Sequence, residues 1–302
     1  MSDYSQTMIG DMVAQVRSFN RAVTERVGAL DEQYLGCGRS LGEARFLWDI
    51  GAGDGVEVRE LRRRLQIDSG YASRLLRSLE AQGLAEVHEG AGDRRVRHVR
   101  LTASGRSERA ELDRLSNGLA LSTLEPLDDD QRTRLVSAMA EVERLLLASS
   151  ITITADDSGG EDAQWCLEQY FAELTARFTR APVLPGSVAA ESRQLTPPAG
   201  LTLVARRGTE PVGCGSLKFH AGAPPDIKRM WVSPAARGLG LGRRLLRTLE
   251  QQASEAGATV IRLETNAALV EAIGLYRAAG YAEVAPFNDE PNADHWFAKP
   301  LA

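Results

Sequence analysis

The sequence predicts two domains: a mainly-α N-terminal half containing a helix-turn-helix and a β-hairpin, and an α/β C-terminal half built on a mixed central sheet. Three observations predict this. At 302 residues the chain exceeds the usual single core, so two domains of about 150 residues each are the natural division. Within 58–101, two short amphipathic helices joined by a tight turn precede two short strands. From 201 onward strands alternate with helices, and an apolar strand at 230–232 runs into a glycine-rich turn and a long helix. The composition shift across Ser149–Asp162 places the boundary between 1–148 and 149–302.

The N-terminal half opens with Met12, Val16, Phe19, Val23, Val27 and Leu30 at steps of three and four, which predicts one long helix over 12–30. Val58, Leu61 and Leu65 predict a short helix, and Gln66–Gly70 a turn. Asp68 is placed to cap the next helix, whose apolar face carries Tyr71, Leu75, Leu76 and Leu79 and which Gly83 closes. Its other face presents Ser73, Arg74 and Arg77. Leu84–His88 reads as a strand, Glu89–Asp93 as a hairpin tip, and Arg94–Leu101 as the returning strand. Leu112, Leu115 and Leu119 mark a further helix stopped by Pro126, and Leu135, Met139, Val142 and Leu146 another. The outer helices fit packing within one chain and packing against a second copy equally well.

Charge is concentrated in the middle of this half. From Arg59 to Arg106 there are eleven Arg against six acidic residues, whereas 1–148 as a whole is net negative. Guanidinium groups on the free face of a second helix and on a hairpin are what phosphate neutralisation on double-stranded DNA requires. Residues 10–147, with Ser73–Arg77 in the second helix and Asp93–Gly105 in the hairpin, resemble the MarR family of winged-helix repressors. The resemblance implies a dimeric winged helix-turn-helix on a pseudo-palindromic operator, with Asp93 and Arg95 forming the wing's Asp-x-Arg element.

In the C-terminal half, Ile151–Thr154 predicts a first strand, and Trp165, Leu167, Tyr170, Phe171 and Leu174 a helix. Strands follow near 201–206, 212–219 and 227–233, then the glycine turn and a helix with Leu241, Leu245 and Leu249 at four-residue steps. Thr259–Glu264 is another strand, 267–279 a helix, and short strands near 281–284 and 295–298 close the chain. Glycines at a strand-to-helix turn let a ligand approach the backbone, and the unpaired amides of the helix start form an anion site. A pyrophosphate fits. The spacing Gly238, Gly240, Gly242 does not match G-x-G-x-x-G, Glu264 lies too far along for a dinucleotide fold, and no G-x-x-x-x-G-K-S/T is present.

The turn instead resembles the Gln/Arg-x-x-Gly-x-Gly/Ala loop of GNAT acetyltransferases, matched by Arg237, Gly240 and Gly242, with Met230–Val232 before it and Leu275–Tyr281 after it. The resemblance covers about 151–302. It implies that Arg237, Gly238, Leu239, Gly240, Leu241, Gly242 and Arg243 hold the pyrophosphate of acetyl-CoA. It also implies that the backbone of Met230, Trp231 and Val232, on a bulged and splayed strand, contacts the pantetheine and polarises the thioester carbonyl. Tyr276 sits where a phenol protonates the leaving thiolate. An ordinary phenol keeps its proton at neutral pH and can donate it. Asn266 resembles an Asn that holds the CoA arm, and a helix N-cap serves its position equally well. Asp226 matches a position where relatives carry a catalytic Glu; its alternative is a surface carboxylate without chemistry. His295, Glu191 and water are the other candidate bases.

Composition bounds the rest. A net charge of −5 gives no global attraction to nucleic acid, so DNA binding rests on the local patch. Cys37, Cys166 and Cys214 are widely spaced and suggest neither a disulfide framework nor a zinc site, so no metal is expected. No signal-like start and no membrane span is visible, and a cytoplasmic protein is expected. The expected function is a homodimeric DNA-binding regulator joined to an acetyl-CoA-dependent N-acetyltransferase acting on an amine, a small one by preference. The alternative is a regulator whose second half only senses acetyl-CoA or an amine.

Overall fold

A computed structural model describes residues 3–31, 33–51, 53, 55–89, 96–178 and 193–301. The chain forms two compact units, Met1–Val136 and Ser137–Ala302. The first contains α1 (Asp3–Arg26), α2 (Leu41–Ile50), β1 (Val56–Glu57), α3 (Val58–Leu65), α4 (Ser69–Ala81), β2 (Ala85–Glu89), β3 (Arg97–Leu101) and α5 (Ala103–Leu124). Helix α6 (Asp129–Ser149) runs through the boundary between the units. Ser40 and Glu43 form a capping box that starts α2. Gln66, left-handed at φ 52, stops α3, and Asp68 starts α4 by accepting from the Tyr71 amide at 2.8 Å. Ala72, Leu75, Leu76 and Leu79 of α4 then bury against Phe46, Leu47 and Leu61. The three strands pair antiparallel in the order β1-β3-β2.

Helix α1 begins well before the predicted 12–30 span and stops at Arg26, because Gly28 turns the backbone left-handed at φ 62. Met12, Val16, Phe19 and Val23 along it are exposed.

The second unit contains β4 (Ile151–Asp156), α7 (Glu161–Arg177), β5 (Gly200–Arg207), β6 (Glu210–His220), β7 (Ala223–Val232), α8 (Leu241–Glu255), β8 (Val260–Thr265), α9 (Val270–Ala278), β9 (Ala282–Val284) and β10 (His295–Pro300). They form a mixed seven-stranded sheet in the order β4-β5-β6-β7-β8-β10-β9. All neighbours are antiparallel except β7 and β8. Period-two alternation sends Leu203 and Ala205 to the face packed by Leu245 and Leu249 of α8. Val204 and Cys214 go to the opposite face, packed by Ala163 and Cys166 of α7. Helices therefore cover both faces of this sheet.

Helix α9 starts three residues later than the predicted 267–279. The Asn266 side chain accepts from the Ala268 amide at 2.9 Å and holds 266–269 as a turn. Among the described residues no helix is long and apolar enough to cross a membrane, and no group of three or more His, Cys, Asp or Glu is placed to hold a metal ion.

Candidate functional site

Two irregularities of β7 build the site. Its parallel pairing with β8 is limited to Asp226↔Arg262 and Ile227↔Leu263, after which the strands part. On its other edge the register with β6 slips between Ser216↔Lys228 and Cys214↔Trp231. Arg229, at the slip, is left-handed at φ 55, a conformation a residue with a Cβ adopts at a cost and holds only when its surroundings enforce it. A bulge of this kind re-aims a strand. Beyond it, Met230, Trp231 and Val232 line a cleft of about 480 Å³, and their edge toward β8 carries no ladder.

Strand β7 leads through a short turn at Pro234–Ala236 into the glycine loop. Gly238 and Gly240 are left-handed at φ 75 and 72, and a Cβ at either would meet no atom within 4 Å, so their small size leaves open space at the surface of the loop. Gly240 is the N-cap of α8, and its carbonyl accepts the first helical bond from Arg244 at 3.1 Å. Among the described residues, the amides of Leu241, Gly242 and Arg243 have no hydrogen-bond acceptor in the chain. Arg237, Gly238, Gly240, Leu241, Gly242 and Arg243 all line the cleft; Leu239 instead packs partly buried against the core. Open amides at the positive end of a 15-residue helix, facing a cleft, fit a diphosphate. The loop's open amides therefore fit the diphosphate of acetyl-CoA, the implied co-substrate.

The facing wall comes from α7, which sequence reasoning read only as a packing helix. Tyr170, Glu173, Leu174 and Arg177 line the cleft, spaced three and four apart on one helical face. Glu173 accepts from Trp231 Nε1 at 2.9 Å and Arg237 Nη2 at 2.5 Å through one oxygen, and from Arg177 Nη1 at 3.2 Å through the other. Burial pushes its carboxyl up, but these donors together outweigh burial and hold it below the ordinary carboxylate value. The Glu173, Arg177 pair at i,i+4 was the available sequence signal.

A second, smaller cavity of about 80 Å³ adjoins the cleft, sharing Tyr170, Leu174, Met230, Leu269 and Ala272 with it. Its wall is polar: Lys228, Arg229, Glu264, Asn266, Tyr276 and Glu290 contribute. Tyr276 packs its ring against Tyr281 and Phe297. Burial, followed by the nearby Tyr170 and Glu264, pushes its phenol well above the ordinary value of 10, so the hydroxyl carries its proton across the neutral range. Asn266 also lines this cavity, with its amide nitrogen donating to the Asn292 carbonyl at 2.9 Å. Both ends of that side chain are thus engaged in fixing the loop before α9.

The remaining candidate bases lie elsewhere. Asp226 is 3 % exposed, so it is not a surface carboxylate. It accepts from Arg262 Nε at 2.6 Å through Oδ1, and its Oδ2 lies 2.8 Å from His220 Nε2. It lines neither cavity. His295 Nδ1 bonds Glu283 at 2.6 Å and also lies outside both. Glu191 falls outside the described residues.

In the first unit, Arg74 and Arg77 are exposed on α4 and Ser73 half-buried. Arg77 Nε is held by the Ser73 carbonyl at 3.2 Å, and the Arg74 guanidinium lies over the Tyr71 ring at 5.6 Å. Asp93 and Arg95 of the hairpin tip lie outside the described residues.

Both halves of the chain are similar to known proteins. The acetyltransferase (GNAT) family profile matches residues 167–281, and the MarR family profile matches 38–96. The chain is 44 % identical over 86 residues to an IAA acetyltransferase of Azospirillum brasilense, covering 28 % of this chain and 56 % of that protein, little more than half its length. It is 30 % identical over 134 residues to an uncharacterised N-acetyltransferase of Schizosaccharomyces pombe, covering 43 % of this chain and 81 % of that one. A GNAT-family acetyltransferase structure from Staphylococcus aureus is 16 % identical with a TM-score of 0.44, over 50 % of this chain and 99 % of that one. Residues 38–96 match the MarR family profile, and through its C-terminal half the chain belongs to the acetyltransferase (GNAT) family.

Proposed function

We propose that this protein is a DNA-binding transcriptional regulator that also transfers acetyl from acetyl-CoA to a small amine. The observation that carries the enzymatic part is the continuity of a 480 Å³ cleft, floored by unpaired amides at Leu241–Arg243, with a polar cavity containing Tyr276. Acetyl-CoA supplies the reactive acyl thioester when bound. Arg237, Gly238, Gly240 and Arg243, with the open amides, bind the diphosphate, and Leu239 anchors the loop to the core. Within Met230–Val232 the amides alternate between the two edges of β7: that of Trp231 points to Cys214 on β6, and those on the edge freed by the splay donate toward the pantetheine and the acyl carbonyl. Tyr276 holds a proton above the ordinary phenol range and gives it to the departing sulfur. Asn266 keeps the loop before α9 in place.

Asp226 acts as a positioning group in this reading. It and Arg262 are register partners one rung before the last, Ile227↔Leu263, and their ion pair holds β7 to β8 just short of the parting.

The regulatory part rests on α4. Arg74 and Arg77 meet phosphates of a pseudo-palindromic operator from the exposed face of a helix whose other face is core, with Ser73 beside them and Arg95, in the Asp-x-Arg element it forms with Asp93, completing the contact. The exposed Met12, Val16 and Phe19 on α1 support a homodimer through this domain. A mass-spectrometric acetylation screen with wild type and Tyr276→Phe tests the enzyme, and acetylation of no amine would leave a ligand sensor. Salt-dependent binding to the DNA upstream of the chain's own coding sequence tests the regulator.

A further inference from the structure

Lys228 on β7 and Glu264 on β8 pair with each other where the two strands part, and both line the 80 Å³ cavity that Tyr276 also lines. We propose that the acceptor is a free α-amino acid, bound as its zwitterion between Glu264 and Lys228. The inference rests on the acetyltransferase reading above and deepens it.

Both side chains are largely buried, Lys228 at 17 % and Glu264 at 8 % exposure. An acceptor in this cavity lies against both charges. A simple amine would satisfy Glu264 and strand the Lys228 ammonium in a poorly solvated place, and an uncompensated buried charge is strongly unfavourable. A zwitterion exchanges one ion pair for two: its ammonium meets Glu264 and its carboxylate meets Lys228. Glu264 and Tyr276 line the same small cavity, so an ammonium held by Glu264 shares that space with the phenol. Arg229, next along the bulged strand with its guanidinium over the Tyr170 and Phe171 rings, lines the same cavity, as does Glu290. The cavity is far smaller than the roughly 300–1,000 Å³ of drug-sized pockets, so a small free amino acid fits whole. A peptide N-terminus has no carboxylate at the required place.

The step balances. The N–C bond forms as the C–S bond of the thioester breaks. Of the two protons the ammonium loses, one ends on sulfur by way of Tyr276, and the other passes through the Glu264 carboxylate to water.

The test measures thiol release by the purified full chain at saturating acetyl-CoA. The acceptors are the twenty free L-amino acids, their α-amides, simple alkylamines and a tripeptide. At least one free amino acid is expected to exceed its own amide by about 100-fold or more in kcat/KM, and Lys228→Met is expected to shrink that ratio to within about 3-fold. A purely structural lysine would not move the ratio, and if Lys228→Met fails to fold, the wild-type ratio decides alone. Amides, alkylamines or the tripeptide matching the free acids would overturn the amino-acid site and leave the acetyltransferase standing. Acetylation of no amine in the panel would overturn the acetyltransferase reading and this inference with it.

Discussion

Replacing Gly240 by Ala separates the two things that glycine does. At φ 72 any side chain is strained, and nothing lies within 4 Å of the added Cβ, so no steric clash is added. The left-handed conformation alone costs an L-residue about 1–2 kcal/mol, roughly 3–6 °C in the Tm of a unit this size. Gly208, in the β5–β6 turn, provides a matched control: it is left-handed at φ 62 and also open. Gly208→Ala is expected to lower the Tm by a similar amount and leave the KM for acetyl-CoA unchanged. Gly240→Ala puts a methyl group where a phosphate must approach the open amides of α8. Losing one charge-assisted hydrogen bond is worth about 1.5–3 kcal/mol, roughly 10- to 100-fold in affinity. Thermal unfolding and steady-state kinetics on the two variants give both numbers. Equal acetyl-CoA affinity in Gly240→Ala and Gly208→Ala would refute the assignment of the loop to the diphosphate.

Three further outcomes are expected. Tyr276→Phe should lower kcat by about 10²- to 10⁴-fold with little change in the KM for acetyl-CoA, and because the phenol is raised above 10 the wild-type rate should show no loss from its ionisation up to that pH. Glu173 is held below its ordinary value of 4.5 in the folded state, so its contribution to stability is present above that pH and is lost as pH falls through the depressed value. A Tm series from pH 6 to pH 3 should fall less steeply at the acid end in Glu173→Gln than in wild type. Replacing Arg74 or Arg77 by Ala should weaken DNA binding about evenly across sequences and reduce the salt slope by about one unit each, measured by fluorescence anisotropy over a salt series.

Much of the fold was legible because local chemistry agreed with tertiary structure. Asp68 caps α4, Pro126 lies just beyond the end of α5, and the leucine stripe of α8 is its buried face. The glycine loop could be read because its residue types are demanded by backbone conformation and by ligand approach, which leave a mark in sequence. The opposite wall of the cleft left none: Glu173 and Tyr170 lie some 60 residues upstream of the loop and face it only because α7 packs on β6 and β7. Asp226 shows the converse limit. Its place in the sequence suggested chemistry, but a carboxylate two residues before the strands part meets Arg262 across the last rungs of the ladder. Lys228 and Glu264 were silent for the same reason, since a pair bridging a splay requires knowing that the strands diverge. Helix α1 ends before its apolar spacing does, because at Gly28 the backbone does not remain helical.

The central claim is that the backbone from Arg237 to Arg243 binds the diphosphate of acetyl-CoA. Isothermal titration of the full chain with acetyl-CoA and, separately, with S-acetylpantetheine, which carries the same thioester arm without the diphosphate, tests it most directly. The account predicts saturable binding of acetyl-CoA at least about 100-fold tighter than the truncated thioester, the equivalent of two amide–phosphate contacts. Equal affinities, or no heat with acetyl-CoA, would contradict it.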